Sequence, residues 1–412
     1  MSIRSWSHQA GASILAAFVE IGSTRMPQQD VRCPNGHPVR FVGHRRKQLL
    51  TVLGELSIQR RYYHCELCQS GVIPLDAALD VTGTSFSPGV RRLMAHVGGK
   101  ESFDCGREDL EMLAGIQVET KQVERVAEAT GIEIERSAAC EQVAALEGRL
   151  GSIATPKILY IAIDGTGVPM RSQETKGRVG KASDQAKTRE AKLGCVFTQS
   201  QLDESGYPVR DPESTTYTGA IESSELFGRR IYAEAVRRGL EHAGAVVVLG
   251  DGAVWIRSIV EEHFPDAVQI VDLYHAREHI SALAKLLYSS DPGMMRRWTH
   301  SRVEQLDQGL IEDLVASLNR IHPTDSFASE QLRKEIGYFE INAPRMRYAD
   351  FRSRGLFVGS GVIEAGCRTI IGQRLKNSGM HWSVRGANAI IHLRCCQLSN
   401  RFDEFWDRRA CA

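Results

Sequence analysis

Two apolar runs in the second half of the chain lead into an acidic residue that is followed by glycine. Ile158-Leu-Tyr-Ile-Ala-Ile163 precedes Asp164-Gly165, and Ala245-Val-Val-Val-Leu249 precedes Gly250-Asp251-Gly252. Short apolar runs that are rich in β-branched residues and bounded by glycine are typical of buried strands. A single Asp-Gly pair is most often a turn, whereas two pairs that each follow a buried strand predict two carboxylates at strand ends.

The residues around these runs predict an alternation of strands and helices. We expect further strands at 194–198, near Val209 or at 215–218, and at 268–271, with helices at 222–241, at 253–263 and from Gly361 onward. A long helical stretch, about 276–350, interrupts this order and is treated as an insertion. Without it, the order of elements is that of the ribonuclease H-like fold. We therefore predict a mixed α/β catalytic domain at 156–406.

Three carboxylates are expected to meet in that domain. In the ribonuclease H-like order the first and fourth strands are neighbours, so Asp164 and Asp251 would lie side by side, and Glu364 would approach from the last helix. Magnesium prefers hard oxygen ligands, and two such ions can clamp the attacking and leaving oxygens of a phosphoryl transfer. The residues therefore predict a catalytic site for two Mg²⁺ or Mn²⁺ ions. Asp272 follows the fifth strand, further out, and is assigned with His275 to the wall of the site or to the DNA path.

The block at 31–80 predicts a zinc-ribbon-like module. Cys65-Glu-Leu-Cys68 has the spacing of metal ligands, Cys33-Pro-Asn-Gly-His37 supplies two more candidates, and apolar residues on either side of Gly54 predict a hairpin between them. Structural zinc takes four nitrogen or sulfur ligands, so Cys33, His37, Cys65 and Cys68 are the expected set. His64 is an alternative ligand, and a chance arrangement of unrelated cysteines is the alternative to the site as a whole.

Basic residues are concentrated locally, although the whole chain is nearly neutral. The 51 Lys and Arg residues and 50 Asp and Glu residues leave a net charge of +1, which excludes a uniformly basic protein. Residues 32–61 hold seven basic residues and one acidic residue. Residues 171–192 hold seven basic residues and three acidic residues. Such local charge favours contact with a phosphate backbone, although a solvated surface is the alternative. The expected DNA contacts are Arg45, Arg46, Lys47, Lys187, Arg189, Lys192, Arg374 and Lys376, with Trp382 either stacking on a base or packing in a core.

Two more regions are predicted to be helical. Residues 1–30 form a lead-in, and capping signals at 84–150 predict three helices. They begin at Ser87-Pro88, Asp104 and Thr120 and end at Gly98-Gly99, Leu113 and Gly131. A helix, a glycine-containing turn and a second helix make a helix-turn-helix arrangement, whose last helix would face DNA. A helical hairpin that packs only on its neighbours is the alternative.

Six motifs together resemble the ISKra family of insertion-sequence transposases. They are Asp164-Gly-Thr-Gly-Val-Pro-Met170, Lys187-Thr-Arg-Glu-Ala-Lys-Leu-Gly194, Gly250-Asp-Gly-Ala253, Val271-Asp-Leu-Tyr-His-Ala-Arg-Glu278, Gly359-Ser-Gly-Val-Ile-Glu-Ala-Gly-Cys367 and Ser383-Val-Arg-Gly-Ala-Asn388. The resemblance covers nearly the whole chain. It implies a DDE transposase whose catalytic residues are Asp164, Asp251 and Glu364. Asp272-x-x-His275 is similar to a signature of Mutator-like and related bacterial transposases, whereas Cys33-Pro-Asn-Gly-His37 departs from the cysteine pair expected at that place.

These expectations describe an enzyme that cleaves the ends of an insertion sequence and joins them to target DNA. Its partners would be the terminal inverted repeats, the target DNA and further copies of itself, as a homodimer or higher oligomer. A decayed repressor, which would have lost a carboxylate, and a structure-specific nuclease of the same fold are the alternatives. The sequence shows no apolar run of about 18 residues and no signal peptide. We therefore expect a cytoplasmic protein that acts at the nucleoid.

The predicted insertion differs in charge from the basic segments. Between residues 299 and 345 it holds eight acidic and five basic residues. A net acidic surface is a poor phosphate binder. Dimerisation or a lid is therefore expected of the insertion rather than direct DNA contact.

Overall fold

The computed structural model describes residues 3–25, 30–152, 154–180 and 185–410. The chain divides into two compact units. The first consists of Met1–Gly131 and Arg401–Ala412, and the second of Ile132–Asn400. Their boundary falls inside one long helix, so the predicted lead-in, cysteine block and most of the helical region belong to the first unit.

An antiparallel hairpin is the centre of the first unit. It turns at Gly54, as predicted, where φ is +113°, a value that favours glycine. Leu49, Leu56 and Ile58 of the hairpin pack under the first helix. The elements are α1 (Ile3–Arg25), β1 (Arg40–Thr51), β2 (Gly54–Cys65), β3 (Ser70–Val72), α2 (Pro74–Ala78), α3 (Pro88–Lys100), α4 (Phe103–Asp109), a π-helical turn (Leu110–Ala114) and the start of α5 (Thr120–Leu146).

The helices α3 and α5 are both longer than the sequence suggests. Helix α3 begins after Ser87, whose hydroxyl accepts a hydrogen bond from the backbone N–H of Val90, but the predicted end at Gly98-Gly99 is wrong. A Cβ atom at Gly98 would lie 2.8 Å from the Cβ of Ala127. The glycine therefore permits close contact between α3 and α5 and does not end the helix. Helix α5 likewise continues through Gly131 to Leu146.

A five-stranded mixed sheet is the centre of the second unit. Its strands are β4 (Ile158–Pro169), β5 (Thr188–Gln199), β8 (Thr216–Ala220), β9 (Ala245–Gly250) and β10 (Val268–Val271), and a separate small hairpin consists of β6 (Gln201–Leu202) and β7 (Pro208–Val209). The spatial order is β10-β9-β4-β5-β8. Strand β9 is parallel to β4 and β10, and β5 is antiparallel to β4 and β8. The predicted adjacency of the first and fourth strands is confirmed, and the third strand is at Thr216–Ala220 rather than near Val209.

Helices cover the sheet and form the insertion. They are α6 (Ser224–Arg237), α7 (Val254–His263), α8 (Leu273–Tyr288), α9 (Pro292–Asp307), α10 (Ile311–Asn319), α11 (Ser326–Asn342), α12 (Tyr348–Ser353), α13 (Gly361–Gly366), a π-helical segment (Cys367–Gly372), α14 (Gln373–Leu375) and α15 (Val384–Leu398). Helix α16 (Phe402–Ala410) belongs to the first unit. Ile161 and Ile163 of β4 pack with Phe227 of α6 and Ile256 of α7 in a buried core.

The predicted helical insertion corresponds to α8 through α12. Its first helix begins directly after β10, and Arg277 of α8 forms an ion pair with Asp307 of α9. None of the described helices combines the length and the apolar character needed to cross a membrane.

Candidate functional site

Asp164 and Asp251 are brought to the same part of the sheet by adjacent parallel strands. Ala162 of β4 is the register partner of Leu249 of β9, and each aspartate comes two residues after its paired residue. Burial raises the pKa of Asp164, and the negative charge of Asp251 raises it further. Hydrogen bonds from the thiol of Cys367 and from the N–H of Gly165 act in the opposite direction. The two carboxylates thus repel each other in a partly desolvated place.

Glu364 belongs to a helix that is joined to the first carboxylate. Its Oε1 accepts a hydrogen bond of 3.0 Å from the hydroxyl of Ser360, which fixes the glutamate at the start of α13. Three residues later, Cys367 begins the π-helical segment and hydrogen bonds to Asp164. Single π-helical turns inside helices occur frequently at functional sites.

The three carboxylates are only partly assembled. Among the described residues, the only set of three or more His, Cys, Asp or Glu side chains whose ligand atoms all lie within 4.8 Å of one another is Cys33, His37, Cys65 and Cys68. Asp164, Asp251 and Glu364 therefore lack one mutual set of oxygens at that distance. The fold places two of them on neighbouring strands and the third on a helix that contacts one of the two.

Asp272, unlike the three carboxylates above, uses both of its oxygens to accept hydrogen bonds from the backbone. Its side chain is 2% exposed. One carboxylate oxygen accepts a hydrogen bond of 2.6 Å from the N–H of His275 and so caps α8, and the other accepts a hydrogen bond from the N–H of Ser360. Because backbone donors occupy both oxygens, Asp272 connects the start of α8 to the segment before Glu364.

Four residues beside this site were not identified from the sequence: His279, Glu335, Tyr338 and Cys367. The hydroxyl of Tyr338 donates a hydrogen bond of 3.1 Å to the carbonyl of Asp251, and the ring of His279 stacks on Tyr338. His275 and His279 are four residues apart on α8, which is the one signal in the sequence for a shared helix face. Nothing in the sequence links them to α11.

Lys376, Lys187 and Arg189 remain available to an anionic ligand. Lys376 is exposed, and its ammonium donates a hydrogen bond of 2.6 Å to the hydroxyl of Thr166, two residues after Asp164. Lys187 is exposed, and Arg189 is partly exposed on β5. Lys181, another basic residue of the 171–192 segment, lies outside the described residues.

Three of the residues predicted to contact DNA have buried side chains in this structure. Lys192 is 8% exposed and donates to the carboxylate of Glu190 and to a backbone carbonyl. Arg374 is fully buried and lies 5.2 Å from the centroid of the Trp382 ring. Trp382 is 8% exposed, and its indole N–H donates to the carbonyl of Leu375. These residues form core contacts, as the packing alternative for Trp382 expected.

In the first unit, the cysteine and histidine ligands converge. The sulfur atoms of Cys33 and Cys68 are 3.8 Å apart, and Nδ1 of His37 is 3.2 Å from Cys68 and 3.9 Å from Cys65. Backbone hydrogen bonds and the neighbouring thiols lower the pKa of Cys33 to about 7, despite partial desolvation. The four atoms could therefore hold one metal ion with tetrahedral coordination.

The basic surface of the hairpin is smaller than predicted. Arg45 and Arg46 are exposed, and the guanidinium of Arg45 lies 3.5 Å from the centroid of the Tyr62 ring. Lys47, which is also predicted to contact DNA, has a side chain that is only 11% exposed, and its ammonium donates to the carboxylate of Asp76 and to the carbonyl of Val81.

Comparisons with known proteins add one partial match. Residues 233–402 match a family described as "Uncharacterised protein family (UPF0236)", and this match covers less than half of the chain. No curated protein matches. Among solved structures, the chain is similar to the Drosophila P element transposase strand transfer complex, with 8% identity over 79% of this chain and 82% of that chain. The TM-score is 0.27, and a likeness of that size carries no argument about fold or function.

Proposed function

We propose that this chain is a metal-dependent DDE transposase with a ribonuclease H-like catalytic domain. The observation that carries the proposal is the position of Asp164 and Asp251, each two residues beyond a register pair of adjacent parallel strands. Glu364 adds a third carboxylate from a helix that contacts Asp164 through Cys367. The strand order β10-β9-β4-β5-β8, in which β5 is antiparallel to β4 and β8 while β9 is parallel to β4 and β10, supports the ribonuclease H-like assignment. The motifs similar to those of the ISKra family support the transposase activity.

The carboxylates would hold Mg²⁺ or Mn²⁺. An all-oxygen donor set suits these hard cations, and a cation would relieve the repulsion that raises the pKa of Asp164. When bound, such ions neutralise charge on the phosphate and on the attacking and leaving oxygens.

The chain's own residues orient these groups and the DNA. Cys367 and the N–H of Gly165 hold the Asp164 carboxylate, and Ser360 holds Glu364. Lys376, exposed beside Thr166, can offer a phosphate oxygen a charge-assisted hydrogen bond. No covalent intermediate with a side chain is needed, because positioning and charge stabilisation account for phosphoryl transfer.

The Cys33, His37, Cys65 and Cys68 set would hold a structural zinc ion. Tetrahedral coordination with Zn–S bonds of about 2.3 Å requires sulfur atoms about 3.8 Å apart, and the Cys33 and Cys68 sulfurs are 3.8 Å apart. This zinc-ribbon-like module would support the exposed Arg45 and Arg46 for contact with DNA phosphates.

The test is a strand-transfer assay with DNA that carries the ends of the element, a target plasmid and Mg²⁺. We expect cleaved ends and joined products with the wild-type protein. Asp164→Asn, Asp251→Asn and Glu364→Gln should remove both and keep DNA binding. Asp266→Asn is the matched control, because Asp266 is an exposed carboxylate of the same unit that lies next to β10.

The same assay separates the alternatives. Cleavage without joined products would favour the structure-specific nuclease. Specific end binding without any cleavage by the wild-type protein would favour the repressor. Either result would overturn the transposase proposal.

A further inference from the structure

We propose that the helical insertion supplies positioning residues to the carboxylate site. Glu335 and His279 form a hydrogen-bonded relay to His275, and this relay fixes the ring of His275 so that it can accept a hydrogen bond from the oxygen nucleophile. The inference rests on the proposed function, because the nucleophile is the one used in DNA cleavage. It gives the insertion a role different from dimerisation or a lid.

The relay consists of two short contacts, one between α11 and α8 and one within α8. Nδ1 of His279 is 2.6 Å from Oε2 of Glu335, and Nε2 of His279 is 3.3 Å from Nε2 of His275. The side chains of His279 and Glu335 are 24% and 22% exposed, so water competes with their contact only in part. The relay therefore runs from the carboxylate of Glu335 to the imidazole of His279, the inner imidazole, and then to that of His275, the outer imidazole.

This order determines which ring nitrogens carry protons. An ionised carboxylate only accepts, so Nδ1 of His279 carries a hydrogen atom. In neutral His279, Nε2 is then an acceptor, and Nε2 of His275 must donate to it. Nδ1 of neutral His275 therefore keeps its lone pair as an acceptor. The carboxylate of Glu278 lies 3.6 Å from that atom, but its side chain is 79% exposed and can turn towards solvent.

The residue that carries the outer imidazole is bound to the carboxylate site through its backbone. A positive charge on His275 favours the ionised form of Asp164, which shows that the two groups are within electrostatic reach. The N–H of His275 is also bound by Asp272, whose other oxygen holds Ser360, the partner of Glu364. His275 is thus connected to both ends of the carboxylate site.

Tyr338 shows that α11 supports the site at a second point. Its ring stacks on His279 with centroids 4.0 Å apart and planes at 16°, while its hydroxyl holds the carbonyl of Asp251. A Cβ atom at Gly252, where φ is +85°, would lie 3.2 Å from the same ring. One aromatic side chain of the insertion therefore fixes both His279 and the backbone that carries Asp251.

The test combines kinetics with the protonation of the rings. In Glu335→Gln and His279→Gln we expect the turnover number for cleavage to fall by about 10- to 100-fold, with the KM for DNA within about twofold of wild type, as is typical for residues that orient a reacting group. Glu335→Asp should recover part of the activity. Glu330→Gln and His300→Gln, which change exposed residues of the same insertion, should behave as wild type.

Nitrogen-15 NMR of histidine-labelled protein supplies a readout that needs no activity. We expect the Nδ1–H form of His279 in the wild type, identified by its absence from His279→Gln, and its disappearance in Glu335→Ala, which leaves Nδ1 without its acceptor. An unchanged ring signal, or a fall in turnover that accompanies unfolding and is not recovered by Glu335→Asp, would overturn the proposal.

Failure of the proposed function gives a different pattern. If the wild-type protein cleaves no DNA, the transposase proposal fails, and the NMR result alone then decides whether the relay exists. Disappearance of the Nδ1–H signal in Glu335→Ala supports the relay, and its persistence rejects it.

Discussion

The two candidate metal centres differ in how far the fold completes them. In the first unit, Cys33, His37, Cys65 and Cys68 have four ligand atoms within 4.8 Å of one another. In the second unit, Asp164 and Asp251 are neighbours, but Glu364 does not complete a set at that distance. A structural metal site is closed by protein ligands, whereas a catalytic site leaves positions for substrate and water. Under the proposed function, the first centre would therefore stabilise the fold and the second would carry out the chemistry.

Removal of a carboxylate should have the largest effect. Asp251→Asn should lower the cleavage rate by about 10³-fold or more, because about 4 kcal/mol of charge stabilisation disappears. End binding should stay near the wild-type level, since removing a negative charge does not weaken phosphate binding. The measurement is cleavage in Mg²⁺ alongside a binding titration. A fully active Asp251→Asn protein would show that Asp251 is not needed for the catalytic metal centre.

Metal removal should separate the two centres by their effect on folding. Cys65→Ser should lower the zinc content from about one equivalent per chain and unfold the hairpin block, because ligand binding and folding are coupled in such modules. Withdrawal of Mg²⁺ should stop cleavage without a change in circular dichroism. Elemental analysis and thermal melting measure the two effects. A zinc-free wild-type protein would reject the ribbon assignment.

Asp272→Asn should affect stability more than chemistry. Both oxygens of Asp272 accept backbone hydrogen bonds in a buried place, and an asparagine can accept with only one of its side-chain atoms. One buried N–H is then left without a partner, which costs about 1–3 kcal/mol. Chemical denaturation should show this decrease while cleavage stays measurable below the melting temperature. An inactive but folded Asp272→Asn protein, together with an Asp251→Asn protein that remains active with Mg²⁺, would mean that Asp272, and not Asp251, is the middle carboxylate.

The smallest effect is expected from the hairpin surface. Reversing Arg45 and Arg46 to glutamate should weaken end binding and reduce the slope of log affinity against log salt by about 0.9 for each phosphate that the variant no longer neutralises. Lys47→Glu should instead destabilise the first unit, because Lys47 is paired with Asp76. Reversal of Arg296 and Arg297, two exposed residues of the second unit, to glutamate is the charge-matched control. An unchanged salt slope would exclude Arg45 and Arg46 from the DNA path.

The sequence predicts strands and carboxylates better than surfaces. The strand adjacency of Asp164 and Asp251 follows from apolar runs that end beside glycine, since periodicity and turn residues are local signals. Burial is not a local signal. Lys192 and Arg374 stand in basic segments, yet both are buried in the folded chain, and Lys192 bonds to the carbonyl of Glu222. Likewise, the sequence suggests that Gly98 ends a helix, whereas in the structure Gly98 permits close contact with Ala127 of another helix.

The pairing of His279 with Glu335 marks the limit of sequence interpretation. The residues are 56 positions apart, on helices that meet only because the insertion folds back on itself. No spacing rule connects them, and a lone histidine on a helix is most often a packing residue. Their contact could be recognised only from the tertiary structure.

The two hydrogen bonds accepted by Asp272 also affect which changes in the length of the insertion the fold can tolerate. The two N–H groups that it binds belong to His275, at the start of the insertion, and to Ser360, just after its end. The N–H of Leu273 donates to the carbonyl of Val358 at the same place. The two ends of the insertion are already held together by these hydrogen bonds. Changes in the length of its connecting loops therefore add little to the entropy of loop closure. The connections between α8, α9, α10 and α11 are therefore better places for a change of length than the helices themselves, in which Leu306, Ile311, Leu314 and Leu318 are fully buried.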